Sequence, residues 1–213
     1  MARLRGWRHR NFACNTNAGV HTLVGSFYAP CCVTAASGVQ SVLDVQTATP
    51  RLAAWWAMGA GQCREGSLAA SFDFTNGPFN CLDYWQGGAS GAVAMTPLSS
   101  NRARIQVEAA LPTGSPLITS IDEGDEVYSF KILIDSANSA GLGACGGCQA
   151  SATICLDLIR ILQPAGTPGG DQLITLPGVR NWVTWQGLNG PDPGCGVVPT
   201  RATTWGSIKS LYR

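Results

Sequence analysis

Glu126-Val127-Tyr128-Ser129-Phe130-Lys131-Ile132-Leu133-Ile134 decides the fold class. Val127, Ser129, Lys131 and Leu133 alternate with Tyr128, Phe130, Ile132 and Ile134, the period of a half-buried strand. The same period recurs on both sides of this segment. His21–Phe27 and Gly38–Val45 read as strands, Gly66–Phe74 alternates Leu68, Ala70, Phe72 and Phe74 with smaller residues, and Arg102–Ala110 sets Ile105 and Val107 against Arg104, Gln106 and Glu108. Thr153–Leu162 is a longer apolar run interrupted by Asp157 and Arg160, and Gly170–Leu176 and Arg180–Trp185 are shorter strand signals. Twenty-six Gly and 12 Pro punctuate these runs. The expectation is an all-β protein, one β-sandwich or jelly-roll-like domain with disulfides. Helix is expected only in short pieces, two turns at Arg51–Met58 and two at Trp205–Leu211.

The domain expected from this pattern spans 11–190. Residues 1–10 carry Arg3, Arg5, Arg8 and Arg10 and are expected to be a disordered basic N-terminus that can be deleted without harm. The Gly/Pro-rich stretch 191–203 reads as a linker, and 204–213 as a C-terminal tail. If that tail is helical, Trp205, Ile208 and Leu211 share one face, and Lys209 and Arg213 another. Such a piece is too short to stand alone, so it is expected to dock, on a sorting or anchoring partner as an export or attachment signal or, alternatively, on the parent domain.

The 213 residues carry a net charge of +1, with charged residues only 13% of the chain. Basic residues concentrate at the two ends and leave a mildly acidic body. Nucleic-acid binding, which wants a basic face with interleaved aromatics, is not expected. No apolar stretch reaches the ~20 residues of a transmembrane helix. Residues 1–12 resemble a basic leader region without the apolar core that should follow. The native precursor is therefore expected to begin upstream of Met1.

Nine cysteines accompany only two histidines, His9 and His21. That balance points to a disulfide-stapled domain of an oxidising compartment. Cys63 and Cys81 bracket one apolar segment and form the expected bridge. Cys145, Cys148, Cys155 and Cys195 are the other candidates for bridging. Cys145-Gly146-Gly147-Cys148 also has zinc-knuckle spacing, but Cys155 and Cys195 are too far apart to form a second knuckle. The odd count leaves one thiol over, which a missing upstream partner of Cys14 would explain. The adjacent Cys31 and Cys32 are expected to point apart, because a ring closed between neighbours is strained.

Asn11–Gly19, His21–Phe27, Cys81–Gly87, Gly143–Cys148 and the ending Thr204–Arg213 together resemble a group of secreted bacterial proteins of unknown activity. The likeness runs over nearly the whole chain. It implies export and implies that residues 1–10 stand where a leader belongs. It carries no activity and no catalytic residues, and Cys31-Cys32 depart from the group's pattern.

A histidine-dependent hydrolase is not expected, since no Gly-x-Ser-x-Gly elbow is present and only His21 lies inside the domain. Asp73, Asp83, Glu65 and Glu108 are the candidate carboxylates of a glycosidase-like hydrolase. Asp122, Glu123, Asp125 and Glu126 form an oxygen-rich cluster that suits calcium, although the spacing is not that of an EF-hand and an acidic β-turn is the alternative. Among the seven tryptophans, Trp55, Trp56, Trp85 and Trp185, with Gln86 and Gln186 beside two of them, are the candidate binding residues for a glycan. Core packing is the competing role for these rings. The sequence thus points to a secreted or cell-surface module without catalytic machinery, with a structural, adhesive or glycan-binding role. Its partner would be an extracellular glycan or a cell-envelope component. The alternative is a secreted carboxylate-dependent hydrolase.

Overall fold

The computed structural model describes residues 2–5, 9–75, 77, 79–175, 181–187 and 195. Among the described residues eleven strands follow in order: β1 (Ala2–Arg5), β2 (His9–Arg10), β3 (Val20–Tyr28), β4 (Gly38–Gln46), β5 (Leu68–Ser71), β6 (Ser90–Ser99), β7 (Arg102–Ala110), β8 (Glu126–Asp135), β9 (Ala152–Leu162), β10 (Gln172–Ile174) and β11 (Trp182–Trp185). They form two sheets. The smaller has the order β1-β3-β8-β5, and the larger runs β2-β11-β9-β4-β7-β6 with β10 also on β9. All pairings are antiparallel except β2 with β11. The protein is therefore all-β, as the alternation predicts, and is built as a sandwich.

The core lies between the sheets. Leu23, Phe130, Ile132 and Ile134 from the smaller sheet, and Leu43, Ile105, Val107, Ile154 and Ile159 from the larger, have no exposed surface and belong to one cluster. These are the apolar positions of the period-two runs, and their removal from water is the main favourable term in folding. Three register shifts interrupt the pairing, in β8 against β3, in β9 against β4 and, after Pro97, in β6 against β7. On β8, Gly25 faces Phe130 and Ser26 faces Tyr128, so Ser129 has no opposite residue. A bulge shifts the phase of alternation. Ser129 then meets Ser41 of β4 across the sandwich at 3.2 Å, while Tyr128 stacks on Phe74. Gly25 has to be glycine at this point, because a Cβ there would lie 2.3 Å from the Phe130 ring.

Two local expectations fail. Residues 1–10 are not a wholly disordered basic segment, because Ala2–Arg5 is an edge strand on β3 and His9–Arg10 a short one on β11. Ala2 and Leu4 are buried, so the arginines between them conceal an ordinary strand alternation. Arg51–Met58 makes a single 3-10 turn at Ala54–Trp56 instead of two α-turns. β6 has no counterpart among the strands expected from sequence. The tail 204–213 and the linker 191–203, Cys195 excepted, lie outside the described residues, as do Trp7 and Trp205. No helix among the described residues is long and apolar enough to cross a membrane.

Candidate functional site

The tryptophans expected as a glycan platform are core residues. Trp55, Trp56, Trp85 and Trp185 are each at most 1% exposed. Trp185 stacks on Phe12 at 4.2 Å and on Trp55 at 4.4 Å, and Trp55 meets Trp56 edge-on at 4.9 Å. Arg64, fully buried, lies 3.8 Å over the Trp55 ring and donates to the carbonyls of Trp55, Ala137 and Asp135. Burial draws the pKa of this guanidinium down to about 10, against the opposing charge of Asp135. Gln186 is committed to structure as well. Its Oε1 accepts from Phe12 N at 2.9 Å, and its Nε2 donates to Phe12 O at 2.9 Å and to Cys148 O at 3.3 Å. Gln86 is exposed.

The bridges correct the expected pairing. Cys63 is bonded to Cys145 and not to Cys81; the other two are Cys14–Cys148 and Cys155–Cys195. Cys14 therefore has a partner within the chain, and Cys145, Cys148, Cys155 and Cys195 are divided among three bridges, which dissolves the zinc alternative. Cys81, half-buried, stands outside these bridges. Proximity in sequence misled the assignment, because the bridges span 134, 82 and 40 residues. Cys31 and Cys32 are exposed on a turn, with Cys32 at φ 73°. The neighbouring Cys32 pushes the pKa of the Cys31 thiol up.

Each carboxylate considered from sequence has a local duty. Asp73 caps a turn by accepting from Thr75 N at 2.9 Å, and Asp83 accepts from Gln86 N at 3.1 Å. Glu65 accepts from Gly61 N, and Glu108 from Gln40 Nε2. Asp122, Glu123 and Asp125 lie exposed on the turn before β8, whereas Glu126 accepts from Ser26 Oγ at 2.8 Å. No three of the His, Cys, Asp and Glu side chains among the described residues converge as a metal site would need.

The carboxylates that the structure does bring together are Asp44 and Asp157. Asp157 is the extra residue of the second bulge, between Leu156 opposite Leu43 and Leu158 opposite Val42. It lies beside Asp44 of the neighbouring strand β4, and both carboxylates approach Arg102 Nη2. Asp44 is 1% exposed and is held by Arg104, at 2.9 Å through Nε, and by Arg102. Burial opposes ionisation of Asp44, but the hydrogen bonds from Arg104 and Asp157 and the two guanidinium charges outweigh it and lower its pKa. Asp157 goes the other way. Burial, then the hydrogen bond to Asp44, then the Asp44 charge raise its pKa to about 7. Asp157 is therefore the member of the pair that keeps its proton to the higher pH. Sequence reading noticed Asp157 only as an interruption in an apolar run. Its partner is 113 positions away and is set by strand register.

His21 packs edge-on to Trp185 at 5.1 Å and lies 3.0 Å from Ser136 Oγ. Burial, then the Arg64 charge, lower its pKa against a smaller effect of Asp135. It is a wall of the aromatic cluster.

The remaining feature is the edge of the larger sheet. Among the described residues β6 pairs only with β7. Its ten residues, Ser-Gly-Ala-Val-Ala-Met-Thr-Pro-Leu-Ser, contain no charge and are mostly exposed. Edge strands are ordinarily protected by charge, proline or a bulge, and β6 has only the last two, at Pro97 and at the register shift that follows it. No protein-family model, curated protein or solved structure matches the chain.

Proposed function

We propose that this protein is an exported, non-catalytic module with a structural or adhesive role. The observation that carries the reading is the set of three disulfides, which tie the segment before β3, the loop before β5 and Cys195 onto the two-sheet body. Bridges of this kind persist in oxidising compartments. The four rings considered for glycan contact are buried, so adhesion rests on β6 instead. An uncharged edge can accept a strand from a second copy of the chain without opposing like charges. The hydrolase alternative gains nothing from Asp44 and Asp157. They hydrogen-bond each other, whereas glycoside cleavage needs carboxyl groups at least ~5 Å apart.

The test has two arms. Alkylation of native protein from its own host, read by mass spectrometry, should modify Cys31 and Cys32 and spare the six bridged cysteines; nine reactive thiols would overturn export. Sedimentation should show self-association that Ala94→Lys abolishes without lowering Tm. A strictly monomeric wild type would remove the adhesive role.

A further inference from the structure

We infer that the Cys31-Cys32 turn is a binding site for a soft monovalent cation of the Cu(I) class, held between the two sulfurs. Six of the nine cysteines lie in bridges, and these two remain as an adjacent, exposed pair. Sulfur ligands select soft ions, whereas calcium and magnesium want oxygen. The number of ligands narrows the class further. No group of three His, Cys, Asp and Glu side chains among the described residues could hold a metal. Structural zinc and iron–sulfur centres take four protein ligands. A monovalent coinage-metal ion is satisfied by two sulfurs.

The turn is built to present its thiols. Its two ends are fastened to the loop before β8: Ala29 N donates to Asp125 O at 2.9 Å, Gly124 N to Ala29 O at 3.1 Å and Ile121 N to Val33 O at 3.0 Å. Gln163 Oε1 accepts from Thr34 N at 2.9 Å and from Ala35 N at 3.0 Å. Ala29 and Val33 are buried, so the pair rises from a fixed base. Cys32 keeps a side chain at φ 73°, a backbone region that favours glycine. Strain of this kind concentrates at ligand sites. The same hydrogen bonds set a second turn alongside, on which Asp122, Glu123 and Asp125 are all exposed. Three carboxylates beside two thiols attract a cation and repel an anionic oxidant such as glutathione disulfide. A ring closed between neighbouring cysteines is strained. Both effects keep the thiols available to the ion. Binding needs no redox step: each S–H bond breaks, each sulfur forms one bond to the ion, and two protons pass to solvent.

Silver nitrate in chloride-free buffer is the probe, because Ag(I) shares the preference of Cu(I) for two sulfurs. Native mass spectrometry should show one tightly held silver ion per chain, and the loaded protein should resist alkylation at Cys31 and Cys32. Cys31→Ser and Cys32→Ser, both at exposed positions, should keep the wild-type Tm. Each should weaken silver about hundredfold or more, the order lost when the second arm of a linked pair is removed. Cys81→Ser should bind silver like the wild type. A variant carrying Asp122→Asn, Glu123→Gln and Asp125→Asn should bind about fivefold more weakly at low ionic strength and like the wild type at high. The inference is overturned if either serine variant at position 31 or 32 holds silver as tightly as the wild type. It is also overturned if loaded protein is alkylated at both thiols as fast as unloaded protein, or if Cys31 and Cys32 are disulfide-bonded in protein from its own host.

Discussion

Trp85-Gln86-Gly87 and Trp185-Gln186-Gly187 share a tripeptide, a buried ring and a left-handed glutamine, and part at the glycine, which has a positive φ only in the first copy. Each tryptophan is buried and donates through Nε1 to a main-chain carbonyl, and each glutamine has a positive φ, 45° and 54°. Their surroundings differ. The first copy sits in a turn, with Gln86 exposed and Gly87 in open space. The second ends β11, where Gln186 holds Phe12 and Cys148 together beside the Cys14–Cys148 bridge. Ring burial and the positive φ of the glutamine are common to both copies. What the glutamine does depends on which distant segments the fold brings alongside.

The largest expected effect is on the bridge that distinguishes the second copy. Replacing Cys14 and Cys148 by Ser releases a loop of 134 residues, a loss of about 5 kcal/mol in the chain-entropy picture. Denaturant titration measures it, and a loss below that of opening Cys155–Cys195 would break the assignment of special support to this end. Trp185→Ala and Trp85→Ala should each cost about 3–5 kcal/mol, with Trp185 at the upper end because it stacks on both Phe12 and Trp55. Equal costs would mean that the aromatic cluster adds nothing beyond burial.

The glycines separate two kinds of penalty. A Cβ at position 187 would lie 2.3 Å from Thr184 Oγ1, whereas at 87 it meets nothing but has to adopt φ +73°. Gly187→Ala should cost about 1–3 kcal/mol through crowding, and Gly87→Ala about 1–2 kcal/mol through backbone strain. Thermal melts of the two variants compare them directly. Gln186→Ala leaves the Phe12 amide and carbonyl without their partner and should cost about 2 kcal/mol, against within about 0.5 kcal/mol for the exposed Gln86→Ala. Similar values would erase the contrast between the two copies.

Acid gives the smallest effect and acts on the second copy through His21. The pKa of His21 is lowered by burial, so the unfolded chain binds more protons near and below the ordinary value of about 6.5. Stability from this group is present above that pH and is lost as pH falls through it. His21→Gln should flatten the stability profile between about pH 7 and 5. A steeper profile in the variant would contradict the assigned direction.

β4, β7 and β8 were legible in the sequence because one face is buried and the other carries Gln, Glu, Arg or Lys, which prints the period of two directly. β6 was not. Its small residues are exposed over most of their length and Pro97 interrupts them, so no contrast between faces reached the sequence. β1 does alternate, Ala2 and Leu4 against Arg3 and Arg5, but the charges suggested a loose tail. The bulge at Ser129 was invisible because it depends on Gly25 of β3. The candidate tryptophans are core residues, and the sequence left core and platform open because both need the same ring. The pairing of Asp44 with Asp157 depends on register between strands far apart in the chain.

The strand order also governs what happens while the chain is being made. β3 is hydrogen-bonded on one side by β8, and the Ser26–Glu126 contact joins residues 100 apart. At ~5–20 residues per second, β3 emerges from the ribosome and waits roughly 5–20 s for its partner strand to be synthesised. During that interval Leu23, Val24 and Phe27 are apolar, extended and without their central neighbour. Until its partner strand is translated, a nascent chain of this topology presents an unpaired apolar strand, the kind of edge on which chains aggregate.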